Sequence, residues 1–273
     1  MDKDIIKINK YKPSKVVYQL KKIPFVYDPK DFGIDKDKIN GDGIKLAILG
    51  TGLPASGDLE NFKDIEVFAE DENYPDDKLG YSTMLSGVIA SNNINGIIGL
   101  APLVNCYFIK MFSDHMETNN NTIIASILWC IVKKINVIII PPIFQETTIL
   151  INTLLKAQES NINIFTSIRN VKHKNIVRLS PNVVGVSSTY GKQFHIEQVE
   201  DNILKLTIPR KEYFTTYLEQ SFAKPTSEIL GLGLVGGLSS LILQTAAVYK
   251  QKLNKKEICN CLCKLKSLLY SKI

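Results

Sequence analysis

A chain of 273 residues, 45% of them hydrophobic and 22% charged, has enough apolar side chain for one large domain or two small ones, which excludes disorder, collagen and coiled coil. Its net charge of +6 is moderate, and arginine, whose planar fork suits phosphates and bases, occurs only at Arg169, Arg178 and Arg210, so nucleic acid is not the expected partner. The sequence offers no apolar run of the ~18 to 20 residues a membrane span needs and no signal-peptide stretch at its start, and its five cysteines form no disulfide framework, so a cytoplasmic protein is expected.

Residues 1–43 are rich in Lys and Asp, contain Pro13, Pro24 and Pro29, and end in the turn-forming Asn40-Gly41-Asp42-Gly43. They read as an arm leading into one domain over 44–273. From Ile44 short apolar runs alternate with helical stretches. Strands are expected at 45–50 (KLAILG) and 65–70 (IEVFAE), a helix at 82–90, a strand within 104–112 (VNCYFIKMF), a helix at 122–134 and a strand within 136–142 (NVIIIPP). A helix at 147–160 follows, then strands at 161–167 (NINIFTS) and 182–188 (NVVGVSS), and a long apolar helix at 225–250. Strands that are apolar along their length and separated by helices are buried on both faces, which predicts a doubly wound α/β fold: a mostly parallel sheet with helices on both faces. The last segment threads Ile258, Leu262, Leu265 and Leu269 at helical spacing among Lys255, Lys256, Lys264 and Lys266, the pattern of a surface helix with its apolar stripe on the core. Cys259, Cys261 and Cys263 alternate within it, lack the spacing of zinc-binding cysteines and are followed by no histidine, so no metal is expected there.

Open sheets of this type bind ligands beyond the carboxyl ends of their strands, so the residues that close each strand decide the function. Gly50-Thr51-Gly52-Leu53-Pro54-Ala55 contains the glycine pattern of a dinucleotide-binding turn, with Glu70 at the spacing of its ribose-binding acid. That motif needs a helix opening on the glycines, and Pro54 and Gly57 interrupt so short a connection. A dinucleotide-binding oxidoreductase is therefore the second alternative.

Another reading takes in most of the chain. GIKLAILGTG (43–52), LGYSTMLSGVIASNNINGIIGLAP (79–102), VNCYFIKMF, ASILWCIVKKINVIII (125–140), INIFTSIRN (162–170) and LTIPRKEYFTTYLEQSFAKP (206–225) resemble, in order and spacing, successive blocks of the subtilisin-like serine peptidases. The resemblance implies a chemistry in which an aspartate orients a histidine, the histidine deprotonates a serine, and an asparagine stabilises the oxyanion. Block by block, the aspartate position is Gly50 and the histidine position is Tyr81, with Met84 where the family has its second histidine. The asparagine is retained as Asn170 and the serine as Ser221, while Pro225-Thr226-Ser227 offers a second register with the nucleophile at Ser227. Glycine cannot orient an imidazole, and a phenol of ordinary pKa, about 10, keeps its proton at neutral pH. Loss of a triad costs a factor of roughly 10⁶ in turnover. His115, His173 and His195 fall outside the blocks that converge on the serine.

The expectation is a subtilisin-like pseudopeptidase that binds a peptide or a partner protein, such as an active peptidase or a precursor peptide; the first alternative is an active endopeptidase with a non-standard base. Asp58 and Asn93 match positions of calcium loops in some relatives, but an Asn-Gly surface turn without an ion is the preferred reading, so no cofactor is expected. Pro141-Pro142-Ile143 stands where the family pairs its substrate as an added strand, and proline removes the donor such pairing uses. Residues 16–33 resemble the short N-terminal extension of intracellular members, which lies over the active-site cleft.

Overall fold

The computed structural model describes residues 6–7, 13–17, 34–35, 37–54, 62–69, 74–92, 97–142, 147–168 and 183–270, with the backbone alone at 6–7 and 266–270. The first half contains β1 (Ile6–Lys7), β2 (Lys15–Val17), β3 (Lys45–Gly50), β4 (Phe62–Val67), α1 (Tyr81–Ala90), β5 (Asn105–Lys110), β6 (Glu117–Thr118), α2 (Asn120–Val132) and β7 (Val137–Ile140). The second contains α3 (Thr148–Glu159), β8 (Asn163–Ser167), β9 (Val183–Gly191), β10 (His195–Glu200), β11 (Ile203–Pro209), β12 (Thr215–Thr216), β13 (Phe222–Lys224), α4 (Ser227–Val248) and α5 (Lys255–Tyr270).

Eight strands form one sheet in the order β10-β11-β9-β8-β7-β3-β5-β4. All neighbours are parallel except β10 and β11. The faces can be assigned from single contacts. A methyl group at Gly236 of α4 would lie 2.9 Å from Ile139 Cδ1, so Ile139 faces α4. Ile139 shares a rung with Ile48, and Ile48 with Phe108. The next residue of β5, Tyr107, points to the opposite face, where its ring meets Trp129 of α2 edge-on at 6.1 Å. Helices therefore cover both faces, and the buried run from Leu46 to Gly50 is what such a strand requires.

α4 is the central helix. Gly233 and Gly237 bring it close to its neighbours, a methyl at either falling 2.8 Å from Cβ of Val88 or Leu100. In length and composition α4 is able to cross a membrane, contrary to the expectation from the sequence, but 78% of its most apolar stretch is buried inside the protein. In the sequence Ser239, Ser240, Gln244 and Thr245 break the apolar run. At its far end Gln244 Oε1 accepts from the backbone N–H of Asn40 (2.8 Å) and Gly41 (2.7 Å), which ties down the turn that precedes β3. Helix α5 opens on a reciprocal cap: Asn254 Oδ1 accepts from Glu257 N, and Glu257 Oε2 accepts from Asn254 N. Ile258 and Leu262 of the apolar stripe read from the sequence are buried, with Cys259 beside them, and Leu265 is half-buried. Burial pushes the thiol of Cys106 up to about 12 and that of Cys259 up to about 11, so both behave as apolar core groups.

Four strand pairings were not anticipated. The hairpin β10–β11 was missed because β10 is mostly polar, with only Ile196 and Val199 apolar and Ile196 alone buried, the pattern of an exposed edge rather than of a fully buried strand. A three-stranded sheet, β12-β13-β2, forms from pieces too short to show a period, and β1 pairs with β6. Through β1 and β2, the arm expected at 1–43 is joined to the domain by backbone hydrogen bonds. Its residues 18–33 lie outside the described set.

Candidate functional site

The carboxyl edge of the sheet is where the first turns of α1 and α4 meet the ends of the strands. Tyr190, near the end of β9, donates its hydroxyl hydrogen bond to Pro225 O (3.4 Å), so α4 starts at this edge and runs back toward Gln244 at the other. α1 starts beside Gly50, the last residue of β3. A methyl group at Gly50 would lie 2.6 Å from Ser82 Oγ and 3.1 and 3.4 Å from Cδ1 and Cε1 of Tyr81. The structure thus brings together the two positions read as aspartate and histidine, and the side chains of Tyr81 and Ser82 fill the space between them. Tyr81 is 1% exposed.

This arrangement is held by an acid that the sequence reading overlooked. Asp77 is buried, and its Oδ1 accepts from Thr51 Oγ1 (2.7 Å), Leu79 N (3.0 Å) and Gly80 N (2.7 Å), while its Oδ2 accepts from Thr83 N (2.8 Å) and Thr83 Oγ1 (2.7 Å). It satisfies donors at the start of α1 that have no intrahelical partner, and it ties the helix to the residue after β3. Thr51 N in turn donates to Ser82 Oγ (2.9 Å), and Ser82 N to Thr51 Oγ1 (3.2 Å). Gly80 adopts φ +79° with the Tyr217 ring packed directly on it, so no side chain fits there. Burial, and then the charge of Asp77, push the Tyr217 phenol up. The hydroxyls of Thr215 and Thr216 donate to Met84 O and Thr83 O, both at 3.0 Å, clamping β12 onto α1. An acid three residues before Gly80 is the cap signal that could have revealed Asp77.

A buried lysine was also missed. Lys110 is 0% exposed and pairs with Gly50 across β3 and β5. Its Nζ donates to Asp76 O (3.0 Å) and Asp114 Oδ1 (3.2 Å), and Asp114 Oδ2 is 2.9 Å from Lys78. The signal was a charge closing an otherwise apolar strand. Burial raises the Asp114 carboxyl, but hydrogen bonds from Lys78 and Lys110 and their charges outweigh it and hold the group below its usual value. A carboxyl lowered in the folded state stabilises above its unfolded value, near pH 4, and that contribution is lost as pH falls through the folded value. Asp114→Asn should therefore lower the denaturation midpoint at about pH 7, and the difference from the parent should shrink as pH falls through the folded value.

Ser221 is in another setting. It follows a one-turn 3₁₀ helix (Leu218–Gln220) in which Glu219 and Gln220 have positive φ, and its Oγ donates to Leu218 O at 2.6 Å. It is 3% exposed and precedes β13, not a helix. The helix start comes six residues later, where Thr226 Oγ1 caps Ile229 N (3.4 Å) and Ser227, half-buried, is the first residue of α4. Pro225 and Thr226 are the local cause, a proline followed by an N-capping hydroxyl. Asn170, His173, Asp58 and Asn93 lie outside the described residues. Among the described residues no group of three or more His, Cys, Asp or Glu could hold a metal ion. His115 is exposed in a turn, and Asp114 faces the two lysines. His195 lies on the outermost strand, 3.6 Å from Glu197. Among the described residues after β3, 51–54, no helix opens on Gly50 or Gly52, and Leu53 bridges Asp76, unlike a dinucleotide-binding turn.

Comparison with known proteins supplies the relationship. No protein-family model matches the chain. Subtilisin DY of Bacillus licheniformis is 24% identical over 230 residues, covering 77% of this chain and 82% of its own length. The minor extracellular protease Epr of Bacillus subtilis (strain 168) is 25% identical over 69% of this chain and 30% of its own. The intracellular serine protease of Paenibacillus polymyxa is 32% identical over 37% of this chain and 33% of its own. The chain thus spans most of the first relative and about a third of the other two. With a parallel α/β sheet whose elements follow the order expected from the six blocks, the chain is similar to the subtilisin-like serine peptidases over most of its length.

Proposed function

We propose that the protein is a pseudopeptidase of this family, acting in the cytoplasm by binding a peptide or a partner protein, with Ser227 rather than Ser221 in the nucleophile position. The observation that carries the reading is the filled space at Gly50: Ser82 Oγ would lie 2.6 Å from a Cβ there, so the site has neither an orienting carboxylate nor room for one. Tyr81, at the histidine position, holds its ring against that same glycine. What favours Ser227 is that it opens α4 at the carboxyl edge of the sheet, whereas the hydroxyl of Ser221 closes a turn. Without a base either serine is a weak nucleophile.

The described part of the arm supports a binding role for this edge. β2 pairs antiparallel with β13, Val17 with Phe222 and Lys15 with Lys224, so a strand-like segment already lies beside the residues leading into α4. The test is labelling of the purified chain with a serine-directed fluorophosphonate, together with a peptide hydrolysis assay. Neither labelling nor turnover is expected. Robust labelling that disappears in Ser227→Ala or in Ser221→Ala would overturn the pseudopeptidase reading and identify the nucleophile.

A further inference from the structure

Beside the start of α4 the carboxyl edge holds a cavity of about 480 Å³ lined by Tyr190, Arg210, Lys211, Glu212 and Lys224. Its position is fixed by backbone hydrogen bonds from Arg210 N to Gly191 O (3.0 Å) and from Lys211 N to Pro209 O (2.9 Å), and by the Tyr190 contact to Pro225. Three of its five lining side chains are cations and one is a carboxylate. Arg210 is one of only three arginines in the chain.

The neighbouring strands add an independent observation. In the register of β2 and β13, Lys15 stands directly opposite Lys224. Like charges facing each other across an antiparallel pair are destabilising unless something lies between or near them. Lys15 has partial relief, its Nζ lying 5.8 Å from the centroid of the Phe214 ring. The Lys224 side chain borders the cavity. A cavity with three cations among its lining residues, beside the pairing of β2 and β13 and its two opposed lysines, is arranged for an anion delivered by the ligand.

We propose that this cavity is a recognition pocket for a carboxylate of a bound peptide, with Arg210 and Lys224 as its principal contacts. The inference rests on the peptide-binding reading and deepens it. An acidic side chain or a free C-terminus supplies the same group, and the experiment separates the two.

The probes are fluorescein-labelled twelve-residue peptide pools, matched in sets that carry one glutamate, the corresponding glutamine, or neither, each with a free or an amidated C-terminus. Binding to the full chain is read by anisotropy at low and at physiological salt. Glutamate pools, or free-carboxylate pools, should bind at least about tenfold more tightly than their neutral counterparts, with the advantage shrinking as salt rises. Arg210→Glu and, separately, Lys224→Gln should each abolish most of that advantage. Arg210 is exposed, so folding is unaffected by its replacement, and thermal unfolding of both variants checks this. Equal binding of charged and neutral pools, or an undiminished preference in both variants, overturns the carboxylate pocket and leaves peptide binding standing. No binding by any pool overturns both.

Discussion

Replacing Asp77 by alanine should destabilise the protein by about 4 kcal/mol in equilibrium urea denaturation, a large share of the ~5–15 kcal/mol that holds a domain together. The size follows from what the carboxylate does. Its two oxygens accept from three backbone N–H groups and two hydroxyls, and the side chain is 2% exposed, so water cannot take its place. Loss of an N-terminal helix cap alone costs about 1–2 kcal/mol, and each buried donor left without an acceptor adds about 1–3, though such losses do not sum fully. Asp77→Asn should fall between, because its amide nitrogen cannot accept from Thr83. A loss below about 1 kcal/mol in Asp77→Ala would show that α1 is positioned by packing alone. The consequence reaches the site, since Asp77 is what joins Thr51, the residue after β3, to the turn that presents Tyr81.

The layered fold was legible because buried parallel strands announce themselves: Leu46 to Leu49 and Val137 to Ile140 are apolar without interruption, and helices separate them. The meeting of Gly50 with Tyr81 could be anticipated for a related reason, as both close or open elements at one sheet edge. What could not be read was anything decided by short-range geometry between distant segments. Thr51 and Ser82 carry no signal in the chain, and although the place of Asp77 before Gly80 is a helix-cap signal, only folding shows that the three side chains interlock. The register at the nucleophile position is a different matter. The resemblance weighed Ser221-Phe222-Ala223 over Pro225-Thr226-Ser227, yet Pro225 and Thr226 are an ordinary helix-start signal and could have favoured Ser227. Lys110 was hidden by its own strand, because an apolar run draws attention away from the charge that ends it.

Rebuilding the site should need three substitutions and not two. Gly50→Asp with Tyr81→His supplies the orienting carboxylate and the base, but the new Cβ at residue 50 meets Ser82 Oγ, which Thr51 N holds in place at 2.9 Å. Overpacking of this kind costs about 1–3 kcal/mol, and relief of the strain would push the carboxylate away from the imidazole. The pair should therefore be less stable than the parent and show no measurable peptide hydrolysis. Adding Ser82→Gly clears the obstruction at the expense of one acceptor for Thr51 N, about 1 kcal/mol. The triple variant should exceed the pair in turnover by at least about 10²-fold, a small part of the roughly 10⁶ that a complete triad contributes. That activity should vanish with Ser227→Ala and persist with Ser221→Ala. Equal turnover in the pair and the triple would mean that Ser82 moves aside freely and that the packing at Gly50 is not what keeps this site silent.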